Sequence, residues 1–197
     1  MSKPNQTQIN YLNFNFDVSS YRLLGRELIT DRITALFEIV KNSYDANADR
    51  VEVEFTDVNP RSKKSKIIIK DDGLGMELND LKNKWMVIGT SSKRRERTSP
   101  EPYNRKVVGK KGIGRFAVDL LGSKLTLKTK KKGEKQWIFL ETDWSQYSDL
   151  EARQLTLPFE EDREYFTDIK NKYWFEDANE NEQGTILEIE SINDNLL

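Results

Sequence analysis

Lys66-Ile67-Ile68-Ile69-Lys70-Asp71-Asp72-Gly73-Leu74-Gly75-Met76 is the stretch on which the fold turns. Three consecutive isoleucines predict a strand. Strand alternation sends Ile67, Ile69 and Asp71 to one face, and Ile68, Lys70 and Asp72 to the other. A carboxylate at the end of a buried apolar face needs donors, because burial without them costs several kcal/mol. An adenine exocyclic amine is one suitable donor, and Gly73 and Gly75 let backbone come close to a flat base. The same residues also suit an ordinary Asp-Gly turn that ends a hairpin strand.

Upstream of this strand, Arg50 to Phe55 alternates Val51, Val53 and Phe55 with charged residues, which predicts a half-buried partner strand. Before it, Ile33, Leu36, Phe37, Val40 and Tyr44 recur at helical spacing and predict the apolar face of a helix capped by Thr30 or Asp31. Glu38, Asn42 and Asp45 share another stripe of that helix. Such stripes are usually solvated. Read for chemistry, Glu38 polarises a water and Asn42 gives a neutral oxygen to Mg²⁺, which keeps several waters and needs few protein ligands. Tyr11 to Phe16 alternates aromatic and polar residues and suits a short edge strand, and Met1 to Asn10 is polar and expected to be flexible.

Downstream, Glu77 to Trp85 reads as a short helix. The run from Gly89 to Gly114 has no apolar periodicity and carries Lys93, Arg94, Arg95, Arg97, Arg105, Lys106, Lys110 and Lys111. Its end, Gly109-Lys110-Lys111-Gly112-Ile113-Gly114, opens a helix over Arg115 to Leu121. Glycines before a helix start expose backbone N–H groups to an anion, and Lys110, Lys111 and Arg115 add charge suited to a triphosphate. The glycine spacing fits neither a Walker A loop nor a dinucleotide fingerprint, and a solvated loop explains the same composition. Leu125 to Thr129 and Gln136 to Thr142 read as strands around a Lys-Lys-Gly-Glu turn. Trp144 to Gln183 is acidic and irregular, with short helices near Tyr147 to Arg153 and Glu160 to Lys172, and Gly184 to Ile189 closes as a strand.

Composition narrows the chemistry. The 197 residues contain no cysteine and no histidine, which removes thiolate nucleophiles, zinc-thiolate sites, Ser-His-Asp catalysis and a phospho-accepting histidine within this chain. Carboxylates, amides, hydroxyls, Lys, Arg and a bound metal remain. A net charge of -1 confines any polyanion site to a local patch. No apolar run approaches the ~20 residues of a membrane span, and the N-terminus has no signal-peptide core, so a cytoplasmic protein is expected. Helices mixed with hairpin-connected strands predict one α+β domain over residues 1–197, a two-layer sandwich with helices on one sheet face.

Four short motifs in order, Glu38-Ile-Val-Lys-Asn42-Ser-Tyr-Asp45-Ala46, Asp71-Asp-Gly73-Leu-Gly75-Met76, Gly109-Lys-Lys-Gly112-Ile-Gly114 and Gly184-Thr185-Ile-Leu, resemble the boxes of the GHKL ATPases. That family groups gyrase B, heat-shock chaperones of the Hsp ninety class, histidine kinases and MutL. The resemblance implies the Bergerat fold, with a mixed sheet, helices on one face, and a glycine-rich lid over residues 89–114. It implies ATP or ADP with Mg²⁺ as cofactors, Glu38 as general base and Asn42 as metal ligand. Asp71 would bind the adenine amine with Thr185 beside it, and Gly73, Gly75 and Met76 would line the base pocket. Gly109, Lys110, Lys111, Gly112, Ile113 and Gly114 would wrap the phosphates, and Asp45 would organise the polar helix face.

Within the family, a carboxylate at position 38 and the Asp45-Ala46 pair favour the hydrolytic branch over histidine kinases, which usually carry Asn there. Gly89-Thr90-Ser91-Ser92-Lys93 is most similar to MORC-type and related bacterial ATPases. A histidine-kinase-like phosphotransferase and a non-hydrolysing nucleotide-gated module are the alternatives. Family members take a further Lys or Arg from the next domain, so slow turnover by this chain is expected, as the N-terminal part of a longer protein. A nucleotide-dependent homodimer, and a client that is DNA or protein, are the partners implied. Residues 144–183 match no box and read as a family-specific insertion.

Overall fold

The computed structural model describes residues 29, 31–57, 62, 64–87, 98–108, 117–154, 165 and 169–192. Helix α1 (Arg32–Asp45) is followed by strands β1 (Val51–Thr56) and β2 (Lys66–Asp71). A three-residue α2 (Leu78–Asp80) runs into a π-helical turn (Leu81–Trp85), closed by Met86 N–H on the Leu81 carbonyl at 2.8 Å. Helix α3 (Ala117–Leu121) passes directly into β3 (Gly122–Lys130), and β4 (Gln136–Asp143), α4 (Ser145–Gln154), β5 (Lys172–Asp177) and β6 (Gly184–Ile192) complete the order. The expected strand at Tyr11 to Phe16 lies outside the described residues, as do residues 1–10.

The six strands form one sheet in the order β1-β2-β6-β3-β4-β5. Every ladder among the described residues is antiparallel, so the mixed sheet expected from the resemblance is corrected there. Register aligns three cross-strand rows on the core face. Phe55, Ile67, Ile189, Leu125 and Thr142 form the first, and Val53, Ile69, Leu187, Leu127, Leu140 and Tyr173 the second. The third row holds Val51, Asp71, Thr185, Thr129, Ile138 and Phe175. Its centre is a carboxyl and two hydroxyls where the other rows are aliphatic. Polar groups are thus gathered at one end of an otherwise apolar face.

Helices cover this face. Ala35 and Ile39 of α1, Ala117, Val118 and Leu121 of α3, and Tyr147 and Leu150 of α4 share one core with the aliphatic rows. The helix expected near Tyr147 to Arg153 is α4 and joins this core, the same stretch also supplies the edge strand β5, and the helix expected over Glu160 to Lys172 lies mostly outside the described residues. The other face is charged and aromatic: Lys66 pairs with Glu188, Lys128 lies 4.5 Å over Trp137, and Phe139 stacks on Trp174 at 5.1 Å.

Asp31 caps α1, its Oδ1 accepting the Thr34 N–H at 2.8 Å. The helix is turned differently from the apolar pattern. Ala35, Ile39 and Ser43 face the sheet, while Ile33 is 71% and Phe37 60% exposed. Leu36 packs against the core from the side. Two small residues on the inner stripe bring the helix close to β2, and Ser43 meets a polar partner there. Hydrophobicity alone selects the bulkier stripe and misses that contact.

Candidate functional site

Asp71 ends β2 at the polar row, 9% exposed. Its Oδ2 accepts from Ser43 Oγ at 2.8 Å and its Oδ1 from the Gly73 N–H at 3.0 Å. Burial pushes its carboxyl above the usual range, and the bonds from Ser43, Gly73 and Thr185 pull part of the way back. Each carboxylate oxygen has two lone pairs, so acceptor capacity remains for a ligand amine.

Thr185 faces Asp71 across the β2–β6 ladder. Its hydroxyl lies 3.0 Å from that of Thr129, which accepts the Met76 N–H at 2.9 Å and reaches the Gly184 carbonyl at 3.2 Å. Met76 is thereby held over the same row. The structure brings together Asp71, Gly73, Met76 and Thr185, as the sequence reading expected, and adds Ser43 and Thr129. Thr129 had a signal, since it continues the Leu125/Leu127 alternation onto the core face.

Two glycines sit in tight backbone approaches beside this row. At Gly75 φ is 63°, and a Cβ would come within 2.0 Å of the Lys130 carbonyl oxygen. At Gly184 φ is 118°, and a Cβ would meet the Asp71 carbonyl oxygen at 2.1 Å. At both positions a side chain would collide with protein backbone, so the chain packing itself requires glycine there. A cleft of about 770 Å³ borders the far flank, lined by Met76, Leu78, Lys130, Ile138 and Phe175, and it is not lined by Asp71 or Asn42.

On α1, Glu38 lies one turn before Asn42, and its Oε1 accepts from Lys41 Nζ at 2.7 Å. Asn42 immediately precedes Ser43, so the amide-bearing turn adjoins the buried acid. Asn42 is the neutral oxygen that could hold Mg²⁺, a metal satisfied by one or two protein oxygens with phosphates and water. Among the described residues no group of three or more Asp or Glu side chains gathers to hold a cation alone. Asp45 accepts the Val108 N–H at 2.9 Å, so one of its oxygens ties down the chain ahead of the glycine-rich run. Gly109, Lys110, Lys111, Gly112, Ile113 and Gly114 lie outside the described residues.

The sequence reading placed Arg105 only within the basic run from Gly89 to Gly114. Its guanidinium donates to the Ala48 carbonyl at 2.6 Å and lies 3.5 Å from Asp49. It sits 4.9 Å from the Tyr44 ring centroid and 4.3 Å from that of Tyr103. Asn47, at φ 61° and buried, donates to the carbonyls of Pro100 at 2.6 Å and Glu101 at 3.3 Å. No spacing rule signals these contacts, which apart from the one to Tyr103 span more than fifty residues of chain.

Residues 30–173 match the family described as histidine kinase-, DNA gyrase B-, and HSP90-like ATPase. The chain belongs to this family. Its polar row and acid-bearing helix lie in the part of the chain that the match and the closing Gly-Thr strand span. Among curated relatives, a putative type II restriction enzyme HgiDII of Herpetosiphon aurantiacus is 29% identical over 104 residues, 53% of this chain and 16% of that protein. The DNA mismatch repair protein PMS1 of Saccharomyces cerevisiae is 38% identical over 71 residues, 36% of this chain and 7% of that protein. The chain thus spans a small part of each relative. A solved structure, the N-terminal domain of a DNA repair protein, has the same fold, with a TM-score of 0.52 and 20% identity over 89% of this chain and 40% of that one. Membership supports nucleotide binding. No helix among the described residues is long and apolar enough to cross a membrane.

Proposed function

We propose that this chain binds Mg·ATP and hydrolyses it slowly, as the nucleotide-gated switch of a larger ATPase. The observation that carries the reading is the buried Asp71 carboxylate, held by Ser43 from the helix that bears Glu38 and Asn42. A carboxylate kept in a mostly apolar setting by a few donors is an acceptor suited to an amine, and adenine offers one.

The residues divide by task. Asp71, with Thr185 and Thr129 beside it, accepts from the base, and Met76 packs over it. Asn42 and the phosphate oxygens would hold Mg²⁺, which when bound neutralises charge on the phosphates. Glu38 orients the attacking water and takes its proton, the role left to a carboxylate in a chain without histidine. Gly109, Gly112, Ile113 and Gly114, with Lys110 and Lys111, follow the anchored Val108 in sequence and supply phosphate donors. Positioning and charge neutralisation supply most of phosphoryl-transfer catalysis, so few groups are needed.

ATP-to-ADP turnover with Mg²⁺ tests this. Glu38→Ala is expected to end turnover while ATP affinity stays near that of the parent chain. Unchanged turnover in that variant would move the reading to another mechanism, and absent nucleotide binding by the parent chain would end it. The mismatch-repair relative makes DNA the first client to test, through its effect on turnover by the longer protein.

A further inference from the structure

Strand β5 is an edge of the sheet. Its backbone pairs with β4 on one side, and among the described residues no strand pairs with it on the other. Such an edge presents a row of backbone donors and acceptors to any strand that can approach it. The side chains here invite approach. Tyr173 is 45% and Phe175 43% exposed on the core face, their rings edge to face at 6.0 Å. Trp174, on the other face, stacks on Phe139 and donates its Nε1–H to Glu176 at 2.9 Å. Three consecutive aromatics thus stand on a strand that has one covered side.

Charge on an edge strand ordinarily keeps a second copy away. On β5 the order of the charges does the reverse. Lys172 begins the strand and Glu176 and Asp177 end it, so an antiparallel copy brings each end against its opposite. A twofold axis normal to the sheet keeps the two core faces on one side and pairs only residues that share a face. The register centred on Trp174 sets it opposite the partner's Trp174, Tyr173 opposite the partner's Phe175, and Lys172 opposite the partner's Glu176. Symmetry makes the last two pairs occur twice. Centring on Tyr173 or Phe175 instead sets Trp174 against a charged residue, Lys172 or Glu176. Alternate backbone groups map onto themselves in the Trp174 register, so whichever set points outward finds partners. Lys172 already lies 3.5 Å from Glu141 and 5.0 Å from the Trp174 ring, which keeps its ammonium on the face that Glu176 shares.

We propose that two copies of this chain join antiparallel along β5, centred on Trp174, into one continuous sheet. Cross-strand aromatic and opposite-charge pairs supply the selectivity, and the edge backbone supplies the hydrogen bonds. Three strands separate β5 from β2 and its Asp71, so this association needs no nucleotide.

Sedimentation of the nucleotide-free chain over a wide concentration range tests the proposal, with a reversible monomer–dimer equilibrium expected. Lys172→Glu and Glu176→Lys, both at exposed positions, each set like charges opposite one another twice. Each is expected to weaken the dimer about tenfold, and the double swap should recover most of that loss. A chain that is monomeric at every concentration overturns the proposal and leaves the edge to a strand of a different protein. A dimer indifferent to both single swaps overturns it too. Register is read separately, in a chain that has no cysteine of its own. Trp174→Cys should link to its twin through a short bis-maleimide, while Glu54→Cys on the opposite edge strand should not. Loss of the dimer in Trp174→Cys would likewise put the contact at β5. A Trp174→Cys dimer that does not link, or one that links through Glu54→Cys, would place the contact elsewhere and sink the idea.

Discussion

Asp71 shows how one side chain can be costly to fold and useful to keep. Burial raises its pKa above the usual Asp value of about 3.9, against the pull of Ser43, Gly73 and Thr185. The folded value is the higher one, so the group's contribution to stability is full below about pH 3.9 and is lost as pH rises through the raised value. On the proposed reading, base recognition would run in the opposite sense over the same window, because the ionised acid is the stronger acceptor. Adenosine affinity should therefore rise from acid toward neutral pH, with a midpoint above that of an ordinary Asp, and a flat profile in calorimetry would refute this. Asp71→Asn keeps an oxygen for the Gly73 N–H and an amide for Ser43. We expect its thermal midpoint at neutral pH to match or exceed the parent's while adenosine affinity falls about tenfold or more. Parent-like adenosine binding by this variant would remove residue 71 from the base site. The acid and its neighbouring glycines were legible from one strand and its turn. Ser43 was not, because a serine between an amide and an aromatic residue carries no periodic signal.

Helix α1 was legible in extent and in its cap, and misread in its orientation. Counting large apolar residues selected Ile33, Phe37 and Tyr44, all of which are exposed by more than a third. The inner stripe is Ala35, Ile39 and Ser43, with only one large residue, because close approach to β2 requires small ones. Two truncations separate the orientations. Ile39→Ala should cost roughly 2–5 kcal/mol and Phe37→Ala no more than about 0.5 kcal/mol, measured by urea unfolding. The reverse order would restore the face suggested by periodicity. Among the strands, β1 was readable from alternation, β2 from its isoleucine run, and β3, β4 and β6 to within a few residues. Strand β5 was not, since Lys172-Tyr-Trp-Phe-Glu-Asp177 at the sheet edge alternates nothing and is mostly exposed on both faces.

At the scale of the whole molecule, the order of the motifs conveyed the architecture better than any one of them did. Each box alone admits a solvated stripe, a turn or a loop, yet the fold sets the Asn42 turn, Asp71 and Thr185 side by side at one end of the sheet. The antiparallel pairing could not be read ahead, because strand neighbours far apart in the chain, such as β2 with β6, leave no local mark. A ligand that joins helix and sheet should stabilise the whole fold. With Mg·ATP at about a hundred times its dissociation constant, binding adds about 2.7 kcal/mol, enough to raise the thermal midpoint by roughly 5–10 °C. Glu38→Ala should keep that shift and Asp71→Asn should lose most of it in a thermal melt. A parent chain with no shift at saturating nucleotide would contradict the placement of the site.

The division of the core face into two aliphatic rows and one polar row has a consequence for descent. Mutations among Ile67, Leu125, Leu127, Leu187 and Ile189 strike the reservoir that keeps the chain folded, whereas on the proposed reading changes at Asp71, Thr129 or Thr185 would alter what is bound and leave those aliphatic rows in place. A lineage built on this sheet is free to retune its ligand while its scaffold stays put.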